Sequence, residues 1–174
     1  MNFGFKREVS CFLVPMHGVW SITSNDSAGA VEFDFFTIWQ KLKEVDTPYV
    51  SMIHTHPPGH THMSPTDWNM VYGWVQAIGK PILFLIVTED TRTYYLCKRD
   101  AENKSLVHRD IVEVETNDVF KEITDSLWFL SNLDYDKGEL GFMMDEVTKI
   151  INEERSKANF LILEEETEEI INRS

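Results

Sequence analysis

The chain reads as an α/β protein of the α+β type, a mixed β-sheet flanked by helices with a C-terminal helical extension. Three observations predict this. Short runs rich in Val, Ile, Leu, Phe and Tyr, bounded by turn residues, recur up to residue 115. Two segments with apolar residues at helical spacing interrupt them. Beyond residue 117 the spacing becomes helical throughout. The expected division is a sheet-bearing domain over 1–117 and an extension packed on it over 118–174.

Taken in order, residues 5–14 (FKREVSCFLV) end at Pro15 and read as a strand. Gly18 marks a turn, and 19–23 (VWSIT) return to make a hairpin. Turn residues at 24–29 precede a short strand at 30–33. Asp34 is placed to cap a helix over 34–45, whose apolar positions Phe35, Ile38, Trp39 and Leu42 share one face. Residues 49–56 (YVSMIHTH) read as a buried strand. A helix then starts at Ser64-Pro65-Thr66-Asp67, with a cap, a proline suited to the first helical position and a capping-box acid. Trp68, Val71, Tyr72, Val75 and Ile78 form its apolar face, and Gly79 followed by Pro81 ends it.

The nearly continuous apolar run 82–88 (ILFLIVT) predicts a central strand covered on both faces. Residues 92–98 and 106–115 predict two more strands. Ile123, Leu127 and Leu130 define one later helical stripe; Met143, Val147, Ile150 and Ile151 define another. The run EEETEE at 164–169 reads as a solvated face or tail.

Composition narrows the function classes. The 174 residues carry 16 Lys+Arg against 29 Asp+Glu, a net charge of −13. A basic stripe of the kind that neutralises phosphates is missing, which argues against a nucleic-acid partner. No apolar run approaches the ~18 residues of a membrane span, and the N-terminus lacks a signal-like apolar stretch. Two cysteines, Cys11 and Cys97, make neither a disulfide framework nor a Cys-based zinc site, so the cytoplasm is the expected compartment.

The chemistry concentrates in residues 54–67. Side chains at i and i+2 of a strand leave the same face, so His54 and His56 can address one metal ion. Asp67, at the start of the next helix, can add a third ligand from a rigid element. Two imidazoles and one carboxylate leave a fourth tetrahedral position for water, the open arrangement of catalytic zinc sites. The same Ser64 and Asp67 are also fully explained as a helix cap, and the two readings are compatible. Four His within nine residues strengthen the metal reading. His60 and His62 read as loop residues near the metal mouth. His17 and His108 read as structural, and Cys11 as a small buried hydrophobe.

The spacing His-x-His-x₇-Ser-x₂-Asp resembles the JAMM (MPN+) family of zinc metalloproteases, over roughly residues 5–115. The resemblance implies one zinc ion per chain on His54, His56 and Asp67, with Ser64 assisting the oxyanion and the catalytic water. It also implies an upstream Glu as general base. Glu8, in Glu8-Val9-Ser10-Cys11-Phe12-Leu13 and 46 residues ahead of His54, matches that context; Glu32 is the rival. The expected reaction is hydrolysis of a peptide or isopeptide bond after the tail of ubiquitin or a ubiquitin-like protein. The competing classes are a metallohydrolase of a small amide, a sulfur-carrier conjugate or a nucleotide, and a non-catalytic scaffold on the same fold. One departure concerns packing: the family commonly has a helix before the Glu-bearing strand, and only seven residues precede Glu8. The C-terminal helices are candidates to fill that place. The oligomeric state is left open.

Overall fold

The computed structural model describes residues 4–14, 17–25, 34–99, 106–111, 115–116, 118–134, 137–155 and 161–162. Six strands form one mixed sheet in the order β2-β1-β3-β4-β5-β6. These are β1 (Glu8–Val14), β2 (Gly18–Asn25), β3 (Val50–Thr55), β4 (Ile82–Val87), β5 (Arg92–Arg99) and β6 (Leu106–Ile111). Helix α1 (Phe35–Leu42) precedes β3, and α2 (Pro65–Ile78) connects β3 to β4. The β3–β4 pair is parallel, as a strand–helix–strand crossover requires, and the other pairs are antiparallel. A two-residue strand β7 (Glu115–Thr116) pairs with β8 (Leu161–Ile162), and α3 (Asp118–Asn132) and α4 (Lys137–Arg155) lie between them in sequence.

Strand alternation splits the core into two layers. Odd-numbered residues of the central strands, among them Val9, Cys11, Leu13, Ile53, Leu83 and Leu85, pack with Ile123, Leu127, Leu130 and Leu140 of α3 and α4. Even-numbered residues, among them Phe12, Met52, Phe84 and Ile86, pack with Ile38 and Leu42 of α1 and Val71, Trp74 and Val75 of α2. Every residue of β4 is buried, as its unbroken apolar run predicts.

Several boundaries differ from the sequence reading. The first strand begins at Glu8 because the backbone N–H groups of Lys6 and Arg7 both donate to the Ser131 carbonyl instead of joining the sheet. Within α2, Trp74 is buried, whereas Trp68 and Tyr72 are half-buried and stack on each other at 5.7 Å. On α4, Ile150 is 51% exposed; the inward stripe instead runs through Leu140, Met143, Met144 and Val147. The 30–33 strand, Glu32 and the 164–169 acidic run lie outside the described residues, as do the side chains of Ile151 and His108. His17 is exposed in the β1–β2 turn.

Helix α3 lies against β1 and is tied to it by polar contacts. The Arg7 guanidinium donates to the Leu130 and Leu133 carbonyls at 2.6 and 2.7 Å, covering the open C-terminal end of the helix. Thr55 Oγ1 accepts from Val9 N at 2.8 Å and bonds Ser131 Oγ at 2.7 Å. These contacts fix β1 and the end of β3 to each other and to α3. At the β2 edge, the Asn152 amide of α4 exchanges two hydrogen bonds with the Val19 backbone, at 2.8 and 2.7 Å. That occupies edge groups otherwise open to another strand.

Candidate metal centre

His54 and His56 leave the C-terminal end of β3 on its even-numbered face, toward α2. His56 lies one residue past the strand, yet its N–H still donates to the Val87 carbonyl at 2.9 Å, so its backbone keeps the sheet register. Asp67 stands in the first turn of α2, held by a capping box. Ser64 Oγ accepts from Asp67 N at 3.1 Å, and Asp67 Oδ2 accepts from Ser64 N at 3.0 Å. The cap thereby orients the carboxylate toward the two imidazoles.

The three side chains converge. His54 Nδ1 is 3.3 Å from Asp67 Oδ1, and His56 Nε2 is 3.0 Å from Asp67 Oδ2. One candidate ligand atom from each residue lies within 4.8 Å of the others, and all three residues are buried. Two donors each ~2.1 Å from one tetrahedral ion stand roughly 3.4 Å apart, close to both measured separations. The group can therefore hold a metal ion. The polar accounting agrees, because both ring nitrogens of His54 are buried and lack a hydrogen-bond partner among the described residues. Nδ1 keeps its 3.3 Å approach to Asp67 without hydrogen-bond geometry, and buried ring nitrogens left so are costly unless something completes them.

The loop after β3 sets the other histidine. Pro57-Pro58-Gly59-His60 closes a turn with His60 N donating to Pro57 O at 3.0 Å, and Gly59 has φ +87°. Proline at the second position and a left-handed glycine at the third are what a type II turn requires. The turn brings the His60 carbonyl 3.1 Å from His56 Nδ1. With the proton on Nδ1, the Nε2 lone pair of His56 would be available to a metal ion, the second-sphere arrangement common for metal-binding histidines. His62 instead bonds the Tyr95 hydroxyl at 3.0 Å, fixing the far end of the loop. Both His60 and His62 are exposed, and among the described residues the group able to hold a metal includes neither.

Charge is arranged to match. Burial alone would raise the Asp67 pKa, but the two imidazoles and the cap N–H outweigh it and hold the carboxyl well below the usual carboxylate range. Burial would lower the His56 pKa; Asp67, the Glu8 charge and the His60 carbonyl together reverse this and raise it. Glu8 is thus an electrostatic neighbour of the site. The β1–β3 register fits this: Ser10 pairs with His54, and Glu8 stands two residues before Ser10 in β1, so alternation puts it on the same face as Ser10.

The cysteines belong to the core. Cys11 and Cys97 are free and buried; burial pushes the Cys11 thiol far up and the Cys97 thiol up to about 12. Neither is a thiolate available to a metal. A separate groove of about 420 Å³ opens between Phe5, Pro58, Trp128, Phe129 and Leu133, on the α3 layer rather than the α2 layer that faces His54, His56 and Asp67.

Two contributions were not in the sequence reading. The His60 carbonyl acts through the backbone; the Pro-Gly pair signals the turn but not its target. Ser10 is visible only through pairing with His54. No protein-family profile matches the chain, and no curated protein matches it. The class that fold and site define is an α+β protein with a buried His-His-Asp group able to bind a metal and arranged like the JAMM motif. Among the described residues, no helix is long and apolar enough to cross a membrane.

Proposed function

We propose that this protein is a zinc-dependent hydrolase of the JAMM type, cleaving a peptide or isopeptide bond after the tail of ubiquitin or a ubiquitin-like protein. The observation that carries the reading is the convergence of His54, His56 and Asp67 at one end of β3, with Ser64 capping the helix that presents Asp67. The position of Glu8 on the same face of β1 supports it.

Two neutral imidazoles and a carboxylate are donors suited to zinc. When bound there, zinc supplies a Lewis acid for the scissile carbonyl and lowers the pKa of its water toward 7. Glu8 takes the proton of the attacking water and passes it to the leaving amine, acting as base and then acid. The Ser64 Oγ lone pairs accept from Asp67 N, which leaves its O–H to donate to the developing oxyanion. Asp67 and the His60 carbonyl hold the imidazoles in place throughout. An extended tail would bind by strand-like pairing beside the site.

The test is metal content with turnover. The purified chain is expected to carry one zinc ion, to cleave a ubiquitin-tail amide or a diubiquitin, and to lose cleavage on chelation. Glu8→Gln should keep the zinc and lower turnover at least ~100-fold, the low end of a positioned acid–base group. Parent-like turnover in Glu8→Gln would remove that residue's role. Stoichiometric iron without hydrolysis would point to the oxygen chemistry of other two-His-one-carboxylate sites instead. Zinc with activity only on small amides, sulfur-carrier conjugates or nucleotides would redirect the substrate class.

A further inference from the structure

Ser10 and Thr23 are a second polar feature of the metal side of the sheet. Ser10 is fully buried on β1, with His54 across from it on β3 and Thr23 across from it on β2. Antiparallel partners direct their side chains to the same face, so Thr23, Ser10 and His54 form one row across three strands. Among the described residues, the buried side-chain polar atoms without a hydrogen-bond partner are Ser10 Oγ, Thr23 Oγ1 and the two ring nitrogens of His54. Every one of them falls on this row. Buried hydroxyls without partners are rare, and two side by side next to an imidazole in the same condition point to bonds that form in another state of the site.

We propose that Thr23 and Ser10 are positioning residues for the metal centre: when His54 gives one ring nitrogen to the metal, its other N–H donates to Ser10 Oγ, and Ser10 donates to Thr23 Oγ1. This rests on the metal reading above and extends it to residues that touch neither metal nor substrate. The row fixes the His54 ring by hydroxyls, as the His60 carbonyl fixes His56. Each hydroxyl turns about one χ1 bond, which lets it swing along the row. The flanking neighbours are apolar: Ile86 pairs with His54 on the other side, and Phe84 meets its ring at 4.8 Å edge-on. They offer the imidazole no competing polar partner.

The test compares the parent with Ser10→Ala and Thr23→Val, which delete the hydroxyls at little cost in shape. Zinc affinity is read by competition with a chromophoric chelator, and the His54 tautomer by nitrogen-15 NMR of the imidazoles. The expected result is an affinity lower by about 10- to 100-fold in Ser10→Ala, the range for lost second-sphere partners, with a smaller loss in Thr23→Val. A single His54 tautomer in the zinc-bound parent should become a mixture in Ser10→Ala, a change that loss of packing alone would not produce. Thermal melting of the metal-free variants guards against misfolding: deleting hydroxyls that have no partner there should leave it unchanged or raise it. Unchanged zinc affinity and an unchanged tautomer in both variants would overturn the proposal and leave the metal centre standing. Failure of the parent to bind zinc would overturn both.

Discussion

Ser64 is a helix cap to which the proposed function adds a second duty, and one substitution can separate the two. Its Oγ closes the first turn of α2 by accepting from Asp67 N, and its backbone N–H steadies the Asp67 carboxylate. As a cap alone, Ser64→Ala should cost about 1 kcal/mol of stability and spare catalysis. As an oxyanion donor it should lower turnover ~100-fold or more. Ser64→Asp decides the matter, because Asp caps as well as Ser but brings a negative charge to the oxyanion. The expected outcome is a melting temperature near the parent's with almost no turnover. A well-folded Ser64→Asp protein with parent-like activity would reduce Ser64 to a cap. Asp67 is coupled to the same cap, so its replacement disturbs helix and metal together and is the less informative change.

Among the elements, the β3–α2 connection brings the three candidate ligands together. Strand β3 supplies two imidazoles two residues apart, and the first turn of α2 returns the carboxylate to them. Between these lies the Pro57–His60 turn, whose left-handed Gly59 turns the His60 carbonyl onto His56. A Cβ added at Gly59 meets nothing within 4 Å, so Gly59→Ala tests the backbone alone. The positive φ should cost about 1–2 kcal/mol. If the turn relaxes to avoid that cost, His56 loses its carbonyl partner, and metal affinity should fall roughly 10-fold. A chelator titration beside a melting curve checks both effects. Unaltered affinity with lowered stability would show that His56 is oriented by Asp67 without help from the turn.

At the scale of the whole molecule, the sheet depends on helices that follow it in sequence. The odd-numbered face of β1, β3 and β4 is covered by Ile123, Leu127, Leu130 and Leu140, and the start of β1 is tied to Leu130, Ser131 and Leu133. A chain ended at residue 117 uncovers that face, with large, fully buried residues such as Leu13, Ile53, Leu83 and Leu85 on it. Such a fragment is expected to aggregate or to show no cooperative unfolding transition by calorimetry. A sharp transition in the fragment would show that the sheet and the α2 layer are self-sufficient. Chelation of the full chain should leave its melting cooperative, because the fold rests on two apolar layers and an open site adds less to folding than a closed one.

The sequence by itself determined the local pieces. The cap at Ser64, the stop at Gly79, the apolar run of β4 and the stripe of Ile123, Leu127 and Leu130 are all set by residues near one another in the chain, and each appears as expected. The His54–His56–Asp67 group was legible for the same reason: strand and helix periodicity fix the directions of residues only 13 positions apart. Tertiary structure decided what depends on pairing across the chain. It set Ser10 and Thr23 beside His54, brought Glu8 within electrostatic reach of His56 and laid α3 against β1. It also turned Ile150 outward on α4, since an amphipathic stripe states which residues share a face and not where the covering layer ends. Periodicity is a property of one segment; register and layer order are properties of two, and these bring the residues around His54, His56 and Asp67 into place.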